Sequence, residues 1–293
     1  MEAKLYRVVY RFVMSITHVG RAKRQQFSDR TILLVYLWSV LHDRPACWAC
    51  DPINWPATLD RPLPSDTTLS RRLRSLGVLQ LLERVLTAVA DLTPAGPVKL
   101  IDSKPLLVGA YSKDRDAKRG RLAARQMARG YRLHALNHGR AVRFWTLASM
   151  NQHDSQVAPQ LLEKLSGWGY AVGDNAYDSN ALHELSAAQN HQLIAPPQPK
   201  VRHLRDAKHN TPQRLHALDV LASPLEFAGQ PDRFGIGLYN QREAIESGFG
   251  ELTMMGLDHL PAWVRGPRRV ARWTAGKILL YLIRLAKKKG LMT

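Results

Sequence analysis

The hydrophobic pattern of this 293-residue chain changes once along its length, and that change limits the possible folds more than any other feature. Before about residue 95 the apolar residues recur at helical spacing, and 31–41 is an almost continuous apolar run typical of a buried helix. A cluster of helix breakers follows at 93–97. Beyond it, apolar residues alternate with polar ones or form short runs, as they do in strands. We therefore predict a helical domain at 1–95 and a second domain at 96–293.

The second domain has the element order of an α/β fold. Its strands are predicted at 98–107, 131–136, 141–150, 170–177 and 192–195, and its helices at 159–168, 180–190, 240–255 and 268–289. The second and third of these strands alternate on either side of an Asn-His-Gly turn, which predicts a β-hairpin. The stretch 198–237 is rich in His, Arg and Pro and shows little periodicity.

The charge balance indicates a polyanionic partner. The chain has 42 Lys and Arg against 24 Asp and Glu, a formal net charge of +18, which attracts nucleic acid or an anionic membrane surface. The apolar runs at 31–41 and 278–283 are shorter than the ~20 residues of a membrane-spanning helix, and the N-terminus has no secretory cleavage site. We therefore expect a cytoplasmic protein that binds nucleic acid and no membrane, with Cys47 and Cys50 as reduced thiols.

One segment of the helical domain has the pattern of a DNA-reading helix. Residues 65–77 begin with an N-capping Ser65 and end at Gly77, and leucines form an apolar stripe between them. Arg71 and Arg72 lie on the remaining surface. The segment is either the second helix of a helix-turn-helix that presents arginines to DNA or a capped surface helix with solvated charges. The pattern favours neither.

Two aspartates interrupt apolar strands of the second domain. Asp102 follows three apolar residues within 98–101, and Asp174 follows 171–173. Burying a carboxylate without compensation is costly, so such positions need a reason. Either residue alone is explained by a strand-end cap or an ion pair. As a pair on two strands of a very basic chain, they predict a site for divalent metal ions that act on phosphodiesters.

The helix predicted at 240–255 offers a third carboxylate. Ile245 and Phe249 mark its buried face. At about 100° per residue, Glu246 lies on the margin of that face, whereas Glu243 and Glu251 point further toward solvent. A residue on the margin can reach a site between helix and sheet while the apolar face packs. We therefore choose Glu246.

The chain resembles the DDE transposases of bacterial insertion sequences, in particular the groups numbered four and five. Four short blocks occur in the order typical of that family: LIDSK at 100–104, RGYRLHAL at 129–136, NQHDS at 151–155 and GDNAY at 173–177. The family signature Y-x2-R-x3-E-x6-K is matched by Tyr239, Arg242 and Glu246, with Thr253 in place of the lysine. The resemblance covers about residues 98–283.

The resemblance implies a ribonuclease H-like mixed sheet flanked by helices, preceded by an α-helical N-terminal DNA-binding domain. It implies that Asp102, Asp174 and Glu246 hold two Mg²⁺ or Mn²⁺ ions, cleave double-stranded DNA at the element's ends and transfer the 3′-OH into target DNA. Synapsis of two DNA ends implies a dimer on DNA. Residues 198–237 occupy the place of an insertion that related enzymes carry before the glutamate helix, and their His and Arg either contact DNA or are solvated.

Basic segments supply the expected DNA contacts. Residues 111–132 contain eight Lys and Arg against two Asp, and 265–289 contain no acidic residue. Affinity for DNA is therefore expected to fall steeply with salt. The residues predicted to contact DNA are Tyr239, Arg242, Arg71, Arg72, Arg129 and Arg132. In the family that the chain resembles, the lysine replaced here by Thr253 is thought to contact a DNA phosphate.

The sequence leaves two other functions open. The chain could be a decayed transposase or nuclease that cuts without joining, an alternative that Thr253 and the short insertion favour. It could instead be a non-catalytic DNA-binding regulator built on the N-terminal helices. The regulator predicts that substitutions of Asp102 or Asp174 change nothing.

Overall fold

The computed structural model describes residues 2–17, 25–57, 62–123, 125–198, 203–222, 225–227, 230–232 and 234–292. Its helices are α1 (Glu2–Ser15), α2 (Asp29–Leu41), α3 (Asp66–Arg72), α4 (Leu76–Asp91), α5 (Asp154–Leu162), α6 (Asn180–Ala188), α7 (Pro212–Ala222), α8 (Phe234–Asn240), α9 (Glu243–Met254) and α10 (Pro267–Lys288). Its strands are β1 (Val98–Leu107), β2 (Lys118–Ala123), β3 (Gln126–His138), β4 (Ala141–Ser149), β5 (Gly169–Val172), β6 (His191–Ile194), β7 (Leu225–Phe227) and β8 (Gln230–Asp232). The chain divides into two units, Met1–Thr93 with Met254–Thr293, and Pro94–Thr253.

The first unit is a bundle of α1, α2, α3, α4 and α10. Helix α2 is buried along almost its whole length because its residues are apolar on every side. The centre of α10 is buried in the same way and packs on α2 and α4. Within α10, Lys277 is only 2% exposed, lies 2.5 Å from Asp43 and donates to the carbonyl of Met255 at 2.6 Å. Among the described residues, no helix combines the length and the apolar character needed to cross a bilayer.

The division of the chain differs from the predicted one at its C-terminal end. The predicted second domain runs from residue 96 to residue 293. In the structure Met254–Thr293 belongs to the unit of the N-terminal helices. The physical reason is the apolar surface of α10, which covers the apolar faces of α2 and α4. Hydrophobic periodicity identifies such a face but not the partner that buries it.

The helix predicted at 65–77 is shorter than expected. Ser65 caps it as predicted, accepting from the amide of Thr68 at 3.3 Å, but α3 ends at Arg72. Gly77 lies instead in the first turn of α4. A Cβ on Gly77 would lie 2.4 Å from a carboxylate oxygen of Asp29. The glycine therefore makes room for that carboxylate and does not end a helix.

The second unit contains a mixed sheet in the order β4-β3-β1-β5-β6, with β2 also paired to β3. Strands β1, β3 and β4 are antiparallel, whereas β5 and β6 run parallel to β1. This confirms the predicted mixed sheet flanked by helices. Strand β2 was not predicted, because its alternation is masked by the basic residues of 111–132.

The two faces of β1 pack against different helices. Ile101 points toward α5 and α6 and joins a core that includes Leu136, Leu161 and Leu193. Side chains alternate along a strand, so Leu100 and Asp102 point to the opposite face. Helix α9 lies on that side, since Leu100 and Val98 share one cavity wall with residues of 240–247. This alternation directs Asp102 toward α9.

Several elements of the second unit differ from the sequence predictions. The stretch 198–237 contains a regular helix, α7, and the short pair β7–β8. The periodicity of α7 is obscured because Arg214 is one of its buried residues. The helix predicted at 240–255 is α9, which begins at Glu243, and a separate helix, α8, precedes it, with the break at Gln241 and Arg242. The helix predicted at 159–168 occupies 154–162 instead.

Candidate active site

Asp102 and Asp174 lie side by side where the paired portions of β1 and β5 end. In the parallel register Leu100 is opposite Val172, so both aspartates lie two residues beyond that pair. Asp174 caps a short turn, with its Oδ1 accepting from the amide of Ala176 at 2.9 Å. Asp102 lies within β1 and Asp174 follows β5 in a turn, so the structure brings the two residues predicted on neighbouring strands together at the same edge.

Gly173 is required immediately before Asp174. A Cβ at this position would lie 2.8 Å from the ring of Tyr177 and 3.0 Å from the side chain of Ile101. Tyr177 itself is buried against the sheet core. The glycine thus lets the turn at 175–177 fold back on β1, which fixes where the Asp174 carboxylate lies.

The carboxyl group of Asp102 is mostly buried, and its pKa is raised to about 6. Burial is the main cause, and the neighbouring Asp174 adds to it. The guanidinium of Arg242 and the amide of Ser103, which donates to Oδ1 at 2.8 Å, oppose the rise. Two carboxylates in one partly desolvated place favour a cation between them.

Arg242 supplies a cation to this site. Its Nη2 donates to Oδ2 of Asp102 at 3.2 Å and lies 3.3 Å from Oε1 of Glu246. Its Nη1 donates to the hydroxyl of Tyr239 at 3.0 Å. Arg242 lies at the break between α8 and α9. The backbone turns there so that Tyr239 of α8, Arg242 itself and Glu246 of α9 lie on one side. The predicted stripe of Tyr239, Arg242 and Glu246 therefore exists despite the break.

The three carboxylates are not drawn into one tight cluster. Glu246 is 56% exposed and reaches Asp102 only through Arg242. In the part of the chain that the structure describes, the metal-ligand group with all donor atoms within 4.8 Å is His203, Asp206 and His209, and the three carboxylates do not form another. The donor chemistry of the carboxylate site nonetheless fits Mg²⁺ or Mn²⁺, since it consists of carboxylate oxygen ligands.

Arg132 and Asp154 support the same strand edge. Arg132 Nη1 donates to Asp154 at 3.2 Å and to the hydroxyl of Ser103, next to Asp102, at 3.4 Å. Asp154 also lies 3.5 Å from Nδ1 of His134, whose pKa burial lowers to about 4. Asp154 begins α5. Its role in holding Arg132 depends on β3, so the local pattern around residue 154 carried no signal for it.

Two arginines predicted to contact DNA are used inside the protein. Arg129 donates to the carbonyls of Ser112, Asp114 and Ala117 and so holds the loop before β2. Arg72 is buried in the first unit, where it donates to a carboxylate oxygen of Asp29 at 2.5 Å. Because their guanidinium groups are satisfied internally, we withdraw both from the proposed DNA contacts. Arg71 is exposed.

Lys104 contacts Thr253, the residue that replaces the lysine of the family signature. Its Nζ donates to the hydroxyl of Thr253 at 2.5 Å, although the two residues are 149 positions apart. Lys104 belongs to β1 and faces the same side as Asp102. In the sequence, Lys104 is the last residue of the LIDSK block. No local signal connects it to α9, because the contact exists only after the helix packs on the sheet.

Comparison with known proteins identifies the class of this fold and site. The family model of the transposase DDE domain matches residues 93–283, so the chain belongs to that family of DNA-cleaving transposases. The fold is similar to that of a piggyBac transposase solved by cryo-electron microscopy in a synaptic complex with hairpin DNA. That match has a TM-score of 0.52 and 9% sequence identity, and it covers 99% of this chain and 76% of the other. No curated protein matches the sequence.

Proposed function

We propose that this chain cleaves DNA at the ends of its own element and joins the released 3′-OH to target DNA. The observation that carries the proposal is the contact of Arg242 with both Asp102 and Glu246, at the sheet edge that Asp102 shares with Asp174. We assign it to the insertion-sequence groups four and five, because the four blocks and the Tyr-Arg-Glu signature occur in that order. We interpret its sheet order as ribonuclease H-like.

Asp102, Asp174 and Glu246 would hold two divalent ions, Mg²⁺ or Mn²⁺. Bound there, such ions supply Lewis acidity to the attacking and leaving oxygens of a phosphodiester. Arg242 neutralises Asp102 and Glu246 in the structure described here. Once cations take over that role, its guanidinium is free to pair with a phosphate, for which its fork of donors is suited. Tyr239, which holds Arg242, would then orient it.

Double-stranded DNA is the proposed partner, both as element end and as target, with a dimer on DNA. The first unit, with its exposed Arg71, is the proposed DNA-binding domain, and Arg242 and Tyr239 are the proposed contacts near the site, whereas Arg132 is withdrawn because its guanidinium is satisfied internally. The test is Mg²⁺-dependent cleavage of the DNA that flanks this gene. A second assay with pre-cut ends measures joining. Cutting without joining would instead identify a decayed enzyme, and binding without cutting a regulator.

The pH dependence of cleavage should report the ionisation of Asp102. Its pKa of about 6 means that the carboxyl is increasingly protonated below pH 6 and cannot then hold a cation. At subsaturating Mg²⁺, we expect cleavage to rise about fivefold from pH 5 to pH 6, about tenfold from pH 5 to pH 7, and to level off above pH 7. Saturating Mg²⁺ should move the profile to lower pH, since metal and proton compete. A rate that is flat between pH 5 and 7 at low Mg²⁺ contradicts this assignment.

Lys104 is proposed to supply the phosphate contact that Thr253 cannot make. Lys104→Ala is expected to weaken binding of the element end about three- to tenfold and to reduce the slope of log affinity against log salt by about one. Thr253→Val is the matched control, because it removes the hydroxyl partner and no charge. The measurement is DNA binding over a range of salt concentrations. An unchanged slope in Lys104→Ala would show that Lys104 contacts no phosphate.

A further inference from the structure

We propose that His203, Asp206 and His209 bind a divalent transition metal, with Zn²⁺ the best match. Nδ1 of His209 lies 2.9 Å from Oδ2 of Asp206, and Nδ1 of His203 lies 4.0 Å from the same oxygen. All three donor atoms lie within 4.8 Å of one another. The two imidazole rings are nearly parallel, with centroids 5.0 Å apart. Three side chains from one short turn thus direct their donors at one point.

The backbone of this turn is held by the residue that follows it. The side-chain Nδ2 of the buried Asn210 donates to the backbone carbonyls of His203, Leu204 and Asp206 at 2.8–3.1 Å. Asn210 also accepts from Arg214 of α7 at 2.6 Å, so the turn is tied to a regular helix. The turn is therefore shaped before any ion binds, which lowers the entropic cost of binding.

The orientation of two side chains fits a ligand role. His203 has a φ of 58°, a left-handed conformation that is uncommon for residues other than glycine. Asp206 uses Oδ1 to accept from the amide of Lys208 at 2.9 Å and turns Oδ2 toward both imidazoles. A carboxylate with one oxygen fixed by the backbone and the other aimed at two histidines is an oriented ligand.

The donor set identifies the class of metal. Zinc bonds to imidazole nitrogen and carboxylate oxygen at about 2.0–2.2 Å, so tetrahedral ligand atoms lie about 3.3–3.6 Å apart. The observed 2.9 and 4.0 Å bracket that separation, and small side-chain rotations close the site. Water would fill the fourth position. Mg²⁺ prefers oxygen ligands, so this site and the carboxylate site of Asp102 and Asp174 select different metals.

A bound ion would cross-link the turn that precedes α7. Arg205 lies between the first and second ligands and Lys208 between the second and third, and both are exposed. Trypsin cleaves after these two residues. A metal that holds the turn in place should therefore slow tryptic cleavage at these two peptide bonds. The inference is independent of the catalytic proposal, since it involves neither Asp102 nor DNA.

The test uses the full chain, stripped of metal by a chelator and titrated with Co²⁺. Four-coordinate Co²⁺ with imidazole ligands absorbs strongly in the visible range, whereas six-coordinate Co²⁺ on carboxylates absorbs weakly. We expect strong absorption that saturates at one equivalent and is abolished by Zn²⁺ but not by excess Mg²⁺. Zn²⁺ should also slow tryptic cleavage after Arg205 and Lys208.

Single substitutions locate the site. His209→Ala and His203→Ala should each weaken Co²⁺ binding at least about 100-fold, because loss of even an indirect partner of a metal costs 10–100-fold. His259→Ala is the matched control. His259 is an exposed imidazole 3.1 Å from Asp258 that belongs to no three-ligand group among the described residues. The His259→Ala variant should bind Co²⁺ with the affinity of the wild type.

Three results would overturn the proposal. They are weak absorption only, displacement of Co²⁺ by Mg²⁺, and binding that survives either histidine substitution. Both histidines are more than half exposed, so their replacement should not unfold the chain. Equal tryptic cleavage with and without Zn²⁺ in the wild type would also count against it. Loss of cleavage in an Asp174 variant, by contrast, would leave it untouched.

Discussion

Replacement of Asp174 by asparagine is expected to lower Mg²⁺-dependent cleavage of the element end at least about a thousandfold while DNA binding persists. Asparagine keeps an oxygen for the amide of Ala176, which Oδ1 of Asp174 accepts at 2.9 Å, so the turn at 175–177 should remain folded. What disappears is one of the charges proposed to hold the divalent ions. Such ions lower the activation barrier by several kcal/mol, and about 1.4 kcal/mol corresponds to tenfold in rate.

Asp51 provides a matched control for this substitution. Asp51 also caps a short helical turn, Pro52–Asn54, and its Oδ1 accepts from the amide of Ile53 at 3.0 Å. Asp51→Asn therefore makes the same chemical change in the same local structure, but in the other unit of the chain. Its cleavage rate should stay within about twofold of the wild type. The comparison separates the loss of a capping carboxylate from the loss of a metal ligand.

The outcomes of this experiment discriminate between the proposed functions. Cleavage by the wild type that is lost in Asp174→Asn and kept in Asp51→Asn supports the carboxylate site. Cleavage that persists in Asp174→Asn would show that the site has been wrongly assigned. Binding of a defined DNA end without cleavage, in Mg²⁺ and in Mn²⁺, would favour a DNA-binding regulator.

Local sequence patterns predicted the parts of the candidate site that depend on one element at a time. An aspartate that follows an apolar run predicts a carboxylate beside buried strands, and this holds for Asp102 and Asp174, which lie two residues beyond the last pair of β1 and β5, because hydrophobic burial fixes the strands around them. Helical periodicity placed Tyr239, Arg242 and Glu246 on one stripe. The stripe survives the break at Arg242, since the backbone continues through tight turns from Tyr239 to Ile245.

The parts that could not be predicted depend on contacts between distant segments. Lys104 reaches Thr253 across 149 positions, and α10 packs with helices from the other end of the chain. Arg72 and Arg129 look like surface cations in sequence. They are structural because a carboxylate, or a set of loop carbonyls, happens to face them after folding. The sequence around a basic residue does not indicate which group that residue will contact after folding.

Replacement of Arg214 by methionine is expected to destabilise the second unit by about 3–5 kcal/mol. Arg214 makes two hydrogen bonds to Asp178, from Nε at 2.8 Å and Nη2 at 2.6 Å. The Asp178 side chain is fully buried. Burial alone would raise its pKa, but hydrogen bonds from His183 and Arg214 outweigh burial and lower it. Removal of the guanidinium leaves a buried carboxylate undercompensated, which is the costly case.

Urea unfolding, together with hydrogen exchange of β6 and α7 amides, measures this effect. Arg205→Met is the matched control, because Arg205 pairs with Asp219 at 2.9 Å with both side chains more than 60% exposed. An exposed pair contributes about 0–1 kcal/mol, so this control should change little. Equal destabilisation by both substitutions would contradict the argument. Adding Asp178→Leu to Arg214→Met removes both charges and should restore part of the lost stability.

The same pair connects the stretch before α8 to the candidate catalytic edge. Asp178 directly follows the turn at 175–177 that Asp174 caps, and it also accepts from the amide of Gln198 at 3.3 Å. Arg214 therefore fixes α7 to the segment that positions Asp174, although it lies in the predicted insertion. Cleavage by Arg214→Met should fall further than its folded fraction explains. If cleavage per folded molecule is unchanged, the pair stabilises the fold without positioning Asp174, and the insertion is mechanically separate from the site.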